Sequence, residues 1–459
     1  MRNFFLNALA MVAFTMPALA ETMTIGSTAY EVTRTEQQVA KGVKYTVLNF
    51  PNRSYTGYTG GSRVHVIEAD LSDPSVSIEL ANHNSLSGTR TLNTHASEIS
   101  SSSKKAVAGA NANFWITSET PWKKQMPTMP WGVAVRNGVM YTEPNAKSLP
   151  HCGGPSVTGL IAVDNNGRVI IDRLKPQAAD NTVGSGFQFT AYHKRIAHRL
   201  DLDMCNRMVN AGTASIYTKE YGATKAFKPV DSNCDIVEGV STEVLLDFAE
   251  AESWHIGGST KFIVKEVRNN AGTGTLGNHD LAIVGRDSYA SVLSAYYTPG
   301  DEIEIETFMN FENRGTPAAI AQATSGNVIA MTDGVFNAAH VNPAPINGNS
   351  TYNKNSNERT VYATNPEGNK LWILVCEHNV KQTKKYFGFN LEQMCDIARN
   401  LGATDATQVD CGGSAQMWAG GAQVSQSYDS SGTRGVYSGL FVLSTDLGSI
   451  QTVNDDLEP

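Results

Sequence analysis

No two cysteines among the 459 residues stand in C-x-x-C spacing and no histidines form an H-x-x-x-H cluster, so the ligand spacings of a structural zinc site are missing. No basic stripe appears either: 36 Lys and Arg are spread among 44 Asp and Glu, for a net charge of −8. Nucleic acid is not expected as a partner, because its backbone calls for a clustered positive surface. No segment repeats at a fixed period, no long low-complexity tract or clear linker occurs, and no apolar run is long enough to span a bilayer comfortably.

What is present is a chain with 41% hydrophobic residues, enough for a sizeable core and for two or three average domains. The first twenty residues, MRNFFLNALAMVAFTMPALA, combine Arg2, an apolar run from Phe4 to Phe14 and Ala18-Leu19-Ala20. That pattern predicts a secretory signal cut after Ala20 and a secreted or periplasmic protein without membrane insertion. No cysteine near the cut can accept a lipid. Six cysteines in an exported chain are compatible with disulfides, and Cys205 with Cys234 is the expected pair.

Short apolar or alternating runs such as RVHVIEADL (63–71), SVSIELA (75–81), LIAVDNNGRVII (160–171), EVLLDFA (243–249) and EIEIETF (302–308) predict many strands. In the last third, LWILVC (371–376) and ATQV (406–409) read as buried strands around a helix. That helix has Asn390 as cap, Gln393 at capping-box spacing, an apolar face of Leu391, Met394, Ile397, Ala398 and Leu401, and Gly402 as stop. The expected fold is α+β, β-rich at first and carrying a mixed sheet with a βαβ unit in the last third. Residues 21–60 form an N-terminal extension to a domain over 61–450, with 150–330 as a β-rich subdomain. If the two late strands run parallel, Glu377 and His378 lie near Asp410 and Ser414, at the edge where open sheets bind ligands.

The segment QVDCGGSAQMW (408–418) packs a carboxylate, a thiol, bare backbone and a hydroxyl together. It suits a tight turn, a redox site, a catalytic acid, or a cradle in which the amides of Gly412, Gly413 and Ser414 converge on an anion. Taken singly, GANANFW (109–115), MTDG (331–334) and NERT (357–360) suggest a turn, a hairpin corner and a solvated charge.

Together and in order, these segments resemble the phosphodiester glycosidase family. The run NERTVYATNPEGNKLWILVCEHN, then GFNLEQMCDIARNLGATDATQVDCGGSAQM, is similar to the family's Arg-Thr, acidic strand end, helix and Asp-Gly-Gly-Gly-Ser turn. GANANFW is similar to its Asn-x-Gly-Phe-Phe element, and the resemblance extends over roughly residues 60–445. Three positions depart from the pattern. Cys411 stands where the family has glycine, Glu377-His378 where it has Asp-Gly, and Asn113 where it has glycine.

The resemblance implies a hydrolase that breaks the C1–O bond of a sugar-1-phosphodiester. Since phosphate leaves readily, such a site mainly has to hold a negative charge. Arg359 would supply a fork to phosphate, joined by the Gly412, Gly413 and Ser414 amides. Asp410 is the first candidate for the catalytic carboxylate, followed by Glu377 and Asp333. Asn111, Thr360 and Ser414 would orient sugar or phosphate oxygens, with His378 a further contact. No cofactor is implied, a divalent cation stays open, and the partner is a sugar phosphodiester or glycan. Two other readings stand beside it. One is a carbohydrate-binding protein using Trp115, Trp122, Trp131 and Trp418; the other is a metal-dependent phosphodiesterase using Asp333, Asp410 and His378.

Overall fold

In a computed structural model of the chain, residues 19–55, 58–82, 86, 88–116, 125, 128–144, 159–175, 186–250, 253–341, 352–378, 386–425 and 433–453 are described. Apart from Leu19 and Ala20, the expected signal segment lies outside them; those two residues open the strand Leu19–Ile25.

The fold is α+β and dominated by sheets. The largest has nine strands in the order Leu19–Ile25, Thr28–Ala40, Val43–Tyr55, Tyr58–Asp70, Lys370–Cys376, Arg359–Thr364, Asp405–Gln408, Val328–Thr332 and Val335–Phe336. The segment expected as an N-terminal extension is hydrogen-bonded into this sheet as three full strands.

The helix Leu391–Asn400 forms with both halves of its capping box: Asn390 Oδ1 accepts the Gln393 N–H at 2.8 Å, and Gln393 Oε1 accepts the Asn390 N–H at 3.1 Å. Its buried side chains Leu391, Met394, Ile397 and Ala398 pack with Val64, Val66, Val361 and Leu374 on one face of the nine-stranded sheet. The strands flanking the helix, Lys370–Cys376 and Asp405–Gln408, point the same way because each pairs antiparallel with Arg359–Thr364. They are not neighbours, since Arg359–Thr364 lies between them, and every pair in this sheet is antiparallel. The mixed sheet is instead an eight-stranded one in the middle of the chain, where Met204–Cys205 pairs parallel with Ala214–Thr218.

The other face of the nine-stranded sheet meets a five-stranded sheet containing Val76–Asn82, Lys105–Asn111, Met417–Ala419 and Ser438–Ser444. A second five-stranded sheet forms the wall toward the middle region. In its strand Gly159–Asp164, Ile161 and Val163 enter the first core, while Leu160 and Ala162 enter the core of the eight-stranded sheet. Period-two alternation thus lets one strand serve two cores.

The expected Cys205–Cys234 disulfide does not form: Cys205 is a buried thiol, as are Cys376, Cys395 and Cys411. Cys205 belongs to the core of the eight-stranded sheet and Cys234 to a separate cluster around Tyr217 and Phe227.

Candidate functional site

The site grows from one end of the nine-stranded sheet. Arg359 opens its strand opposite Cys376, and Val361 pairs with Gln408. The start of that strand therefore lies beside the ends of its two neighbours, which brings Glu377 and Asp410 to the same edge.

Alternation sorts the side chains at this edge. Thr360 faces the five-stranded sheet and donates its hydroxyl to Asn111 Oδ1 at 2.7 Å. The same oxygen accepts the Gln416 backbone N–H at 3.1 Å, while Asn111 Nδ2 donates to the Asp410 carbonyl at 2.6 Å. The Asp410 N–H in turn reaches the Ala112 carbonyl at 3.2 Å. A single buried amide, donor on one side and acceptor on the other, ties three distant segments together.

Asp410 is partly accessible. Burial pushes its pKa up to about 7, outweighing hydrogen bonds from Ser414 and from the Cys411 N–H (2.9 Å) and the charge of Arg434. Gly412 to Ser414 then make a single 3-10 turn, closed by the Ala415 N–H on the Gly412 carbonyl at 2.9 Å. Gly412 has φ 65°, where a side chain is strained, whereas Cys411 has φ −127°. A cysteine can therefore stand where the resembling family has glycine. Its thiol turns inward, 3.1 Å from the Val409 carbonyl, and burial holds it well above the ordinary thiol range. Arg434, on the segment leading to the strand Ser438–Ser444, brings Nη1 within 3.5 Å of Ser414 Oγ.

Arg359 occupies the opposite face and is fully buried. Nε donates to the Phe389 carbonyl at 2.7 Å, Nη1 to Gln408 Oε1 at 2.5 Å and Nη2 to the Asn355 carbonyl at 2.8 Å. The guanidinium thus pins the helix approach to the strand end, with a protein acceptor on every nitrogen.

Glu377 lies on the Thr360 side and is enclosed, its side chain 1% exposed. Oε1 meets His65 Nε2 at 2.9 Å, and His65 Nδ1 meets the Tyr45 hydroxyl at 2.7 Å. With Glu377 ionised, His65 Nε2–H donates to it and Nδ1 accepts from Tyr45, which fixes the tautomer. Burial, then the charge of Glu377, drives the Tyr45 pKa far upward, so the phenol stays protonated. The neighbouring His378 is partly exposed, and its Nδ1 accepts the Gly388 N–H at 3.0 Å.

Asp333 is not brought to this edge. Asp333 and Gly334, both with positive φ, form the two-residue turn between Val328–Thr332 and Val335–Phe336. The turn sits at the far end of the sheet, where Asp405 and not Asp410 is its neighbour, about 16 Å along the strand. Asp333 is paired with Arg314 at 2.7 Å and is 67% exposed. A metal site sharing Asp333 and Asp410 therefore loses its residue set. The aromatic candidates are also less open than expected. Trp418 is buried against Phe441, Trp115 and Trp131 are half-buried against apolar clusters, and Trp122 lies outside the described residues.

Tyr45, His65 and Arg434 belong to no motif in the sequence, and Gln416, although inside QVDCGGSAQMW, carried no expected role. His65 alone left a signal: within RVHVIEADL it shares the inward face with Ile67 and Ala69, so it is a polar residue in an apolar row.

Residues 257–443 match the model of the phosphodiester glycosidase family. A search of curated proteins finds no match. Among solved structures, a Burkholderia pseudomallei protein described as exported shares 16% identity at a TM-score of 0.62, covering 94% of this chain and 100% of that one. A hypothetical protein from Synechocystis shares 14% at 0.56, over 94% of this chain and 80% of that one. The zebrafish N-acetylglucosamine-1-phosphodiester alpha-N-acetylglucosaminidase catalytic domain, auto-inhibited by its pro-peptide, gives 12% at 0.41, over 90% and 88%. The first two show a shared fold. Among the described residues no helix is long and apolar enough to cross a membrane. Through residues 257–443, which hold Arg359, Glu377, Asp410 and Arg434, this chain matches the phosphodiester glycosidase family.

Proposed function

We propose that the chain is an exported glycoside hydrolase that splits a sugar-1-phosphodiester at the C1–O bond. The observation that supports this most directly is Asp410: a partly accessible carboxylate at a strand end, beside Ser414 and Arg434 and inside the matched segment.

In this reading the C1–O bond breaks with its electron pair going to the phosphate oxygen, and a phosphomonoester leaves. The leaving group is already a weak base, so no strong general acid is needed. Asp410, as carboxylate, stabilises the positive charge that grows at C1 and accepts a proton as water adds there. The Ser414 hydroxyl, beside Arg434, meets the phosphate, while the Ser414 N–H is already given to the Cys411 carbonyl at 3.3 Å. Asn111 and Thr360 hold Asp410 in place, since their polar atoms are already engaged with one another and with the Asp410 backbone. Arg359 positions the strand ends. Glu377 is a buried carboxyl under the edge, oriented by His65.

The test is to incubate the purified protein with a panel of sugar-1-phosphodiesters in heavy-oxygen water. The expected product is free sugar carrying the label at its C1 hydroxyl. Label in the phosphate would mean P–O cleavage, and saturable binding without turnover would mean a binding protein on this scaffold; either result overturns the proposal.

A further inference from the structure

A phosphodiester arriving beside the carboxylate of Asp410 meets like charge, so the site needs a cation that the substrate can reach. Arg359 is poorly suited. It is buried on the other sheet face, and turning it toward a ligand would leave the Phe389 and Asn355 carbonyls and Gln408 Oε1 short of a donor.

Arg434 is differently placed. It is partly accessible, with Nη1 3.5 Å from Ser414 Oγ and its charge acting on Asp410. Its backbone is held at its carbonyl and at the residues that follow. Gln416 Nε2 donates to the Arg434 carbonyl at 3.1 Å, and two residues on, Val436 exchanges hydrogen bonds with Arg90 at 2.8 and 2.9 Å. Gln416 is itself fixed by its N–H on Asn111 Oδ1. The network that holds Asp410 therefore also sets the position from which Arg434 reaches Ser414.

Resting on the hydrolase reading above, we propose that Arg434 is the specificity-determining residue for the leaving group: its guanidinium binds the substrate phosphate beside Ser414 and Asp410. A planar fork matches two phosphate oxygens, which a neutral leaving group does not offer.

The experiment compares wild type with Arg434→Ala and Arg434→Lys on two substrates sharing one sugar, a phosphodiester and an uncharged aryl glycoside. Melting temperature and circular dichroism identify folded variants. For Arg434→Ala, kcat/KM on the phosphodiester is expected to fall about 10²–10³-fold. The aryl glycoside should change far less, and lysine should restore part of the loss. Binding of inorganic phosphate, read by calorimetry, should weaken at least about tenfold, the loss of one charge-assisted contact. Equal losses on both substrates, or phosphate binding unchanged in Arg434→Ala, overturn the assignment. If the wild type cleaves neither substrate, the hydrolase reading fails, and the phosphate titration still decides whether Arg434 binds the anion. Should Arg434→Ala fail to fold, Arg434→Gln is read by the same criteria.

Discussion

Two aspartates stand at opposite ends of one short strand, and their surroundings assign them different work. Asp405 is nearly inaccessible; Arg314 Nη2 lies 2.7 Å from each of its oxygens, and Oδ1 also accepts the Asp333 N–H at 3.0 Å. Burial raises its pKa, against that N–H and Arg314. Asp410, five residues on, has its pKa raised by the same cause, yet hydrogen bonds and the nearby charge of Arg434 replace the close ion pair. One carboxylate has a cation in direct contact and the other has only a nearby charge. A raised carboxylate of the second kind is common at reactive centres and uncommon in purely structural ones.

The largest test of this contrast is Asp410→Asn, expected to cut kcat/KM at least about 10³-fold while the protein remains folded. In the wild type, kcat/KM should rise with pH and level off above about 7, as Asp410 ionises. The stability effect has the opposite sign. Because the folded pKa lies above the unfolded value, Asp410 costs nothing below pH 4, and the cost of its charge builds as pH rises toward 7. Thermal melts should therefore show Asp410→Asn equal to wild type near pH 3.5 and more stable at pH 8, by up to about 3–4 kcal/mol.

Asp405→Asn should do the reverse. It breaks a largely buried pair, so chemical denaturation should show a loss of about 2–4 kcal/mol with kcat/KM within twofold of wild type. The smallest effect belongs to Asp333→Asn. Its side chain is solvent-exposed and Arg314 keeps Asp405 as partner, so stability should change by less than about 1 kcal/mol and turnover not at all. A large loss of activity in either far-end variant would erase the distinction between the two ends.

The legible parts of the sequence were those governed by local rules. The capping box at Asn390 and Gln393, the buried run LWILVC and the Asp-Gly corner each follow from short-range chemistry and formed as such. The edge that gathers Glu377 and Asp410 was also legible, although by a different route: an antiparallel strand, not a direct crossover neighbour, sets their common direction. What depended on register was hidden. Alternation puts Thr360 and Arg359 on opposite faces, yet only the pairing of their strand shows which face holds the site. Asp333 fell at the wrong end because a turn residue's distance from a strand end depends on which neighbour it joins. Arg434 left no trace because its placement comes from Gln416 and Arg90, remote side chains and strands that no spacing rule connects.

The Asn111 amide gives the site an all-or-none character. It joins residues 111, 360, 410 and 416, from three separate stretches of chain, through one planar group. No fragment of the fold can hold a partial version of that junction, and loosening any one stretch releases the others. Turnover is then a reporter of cooperative folding: in denaturant, activity should vanish along the same curve as the tertiary signal, with no active, half-opened species between.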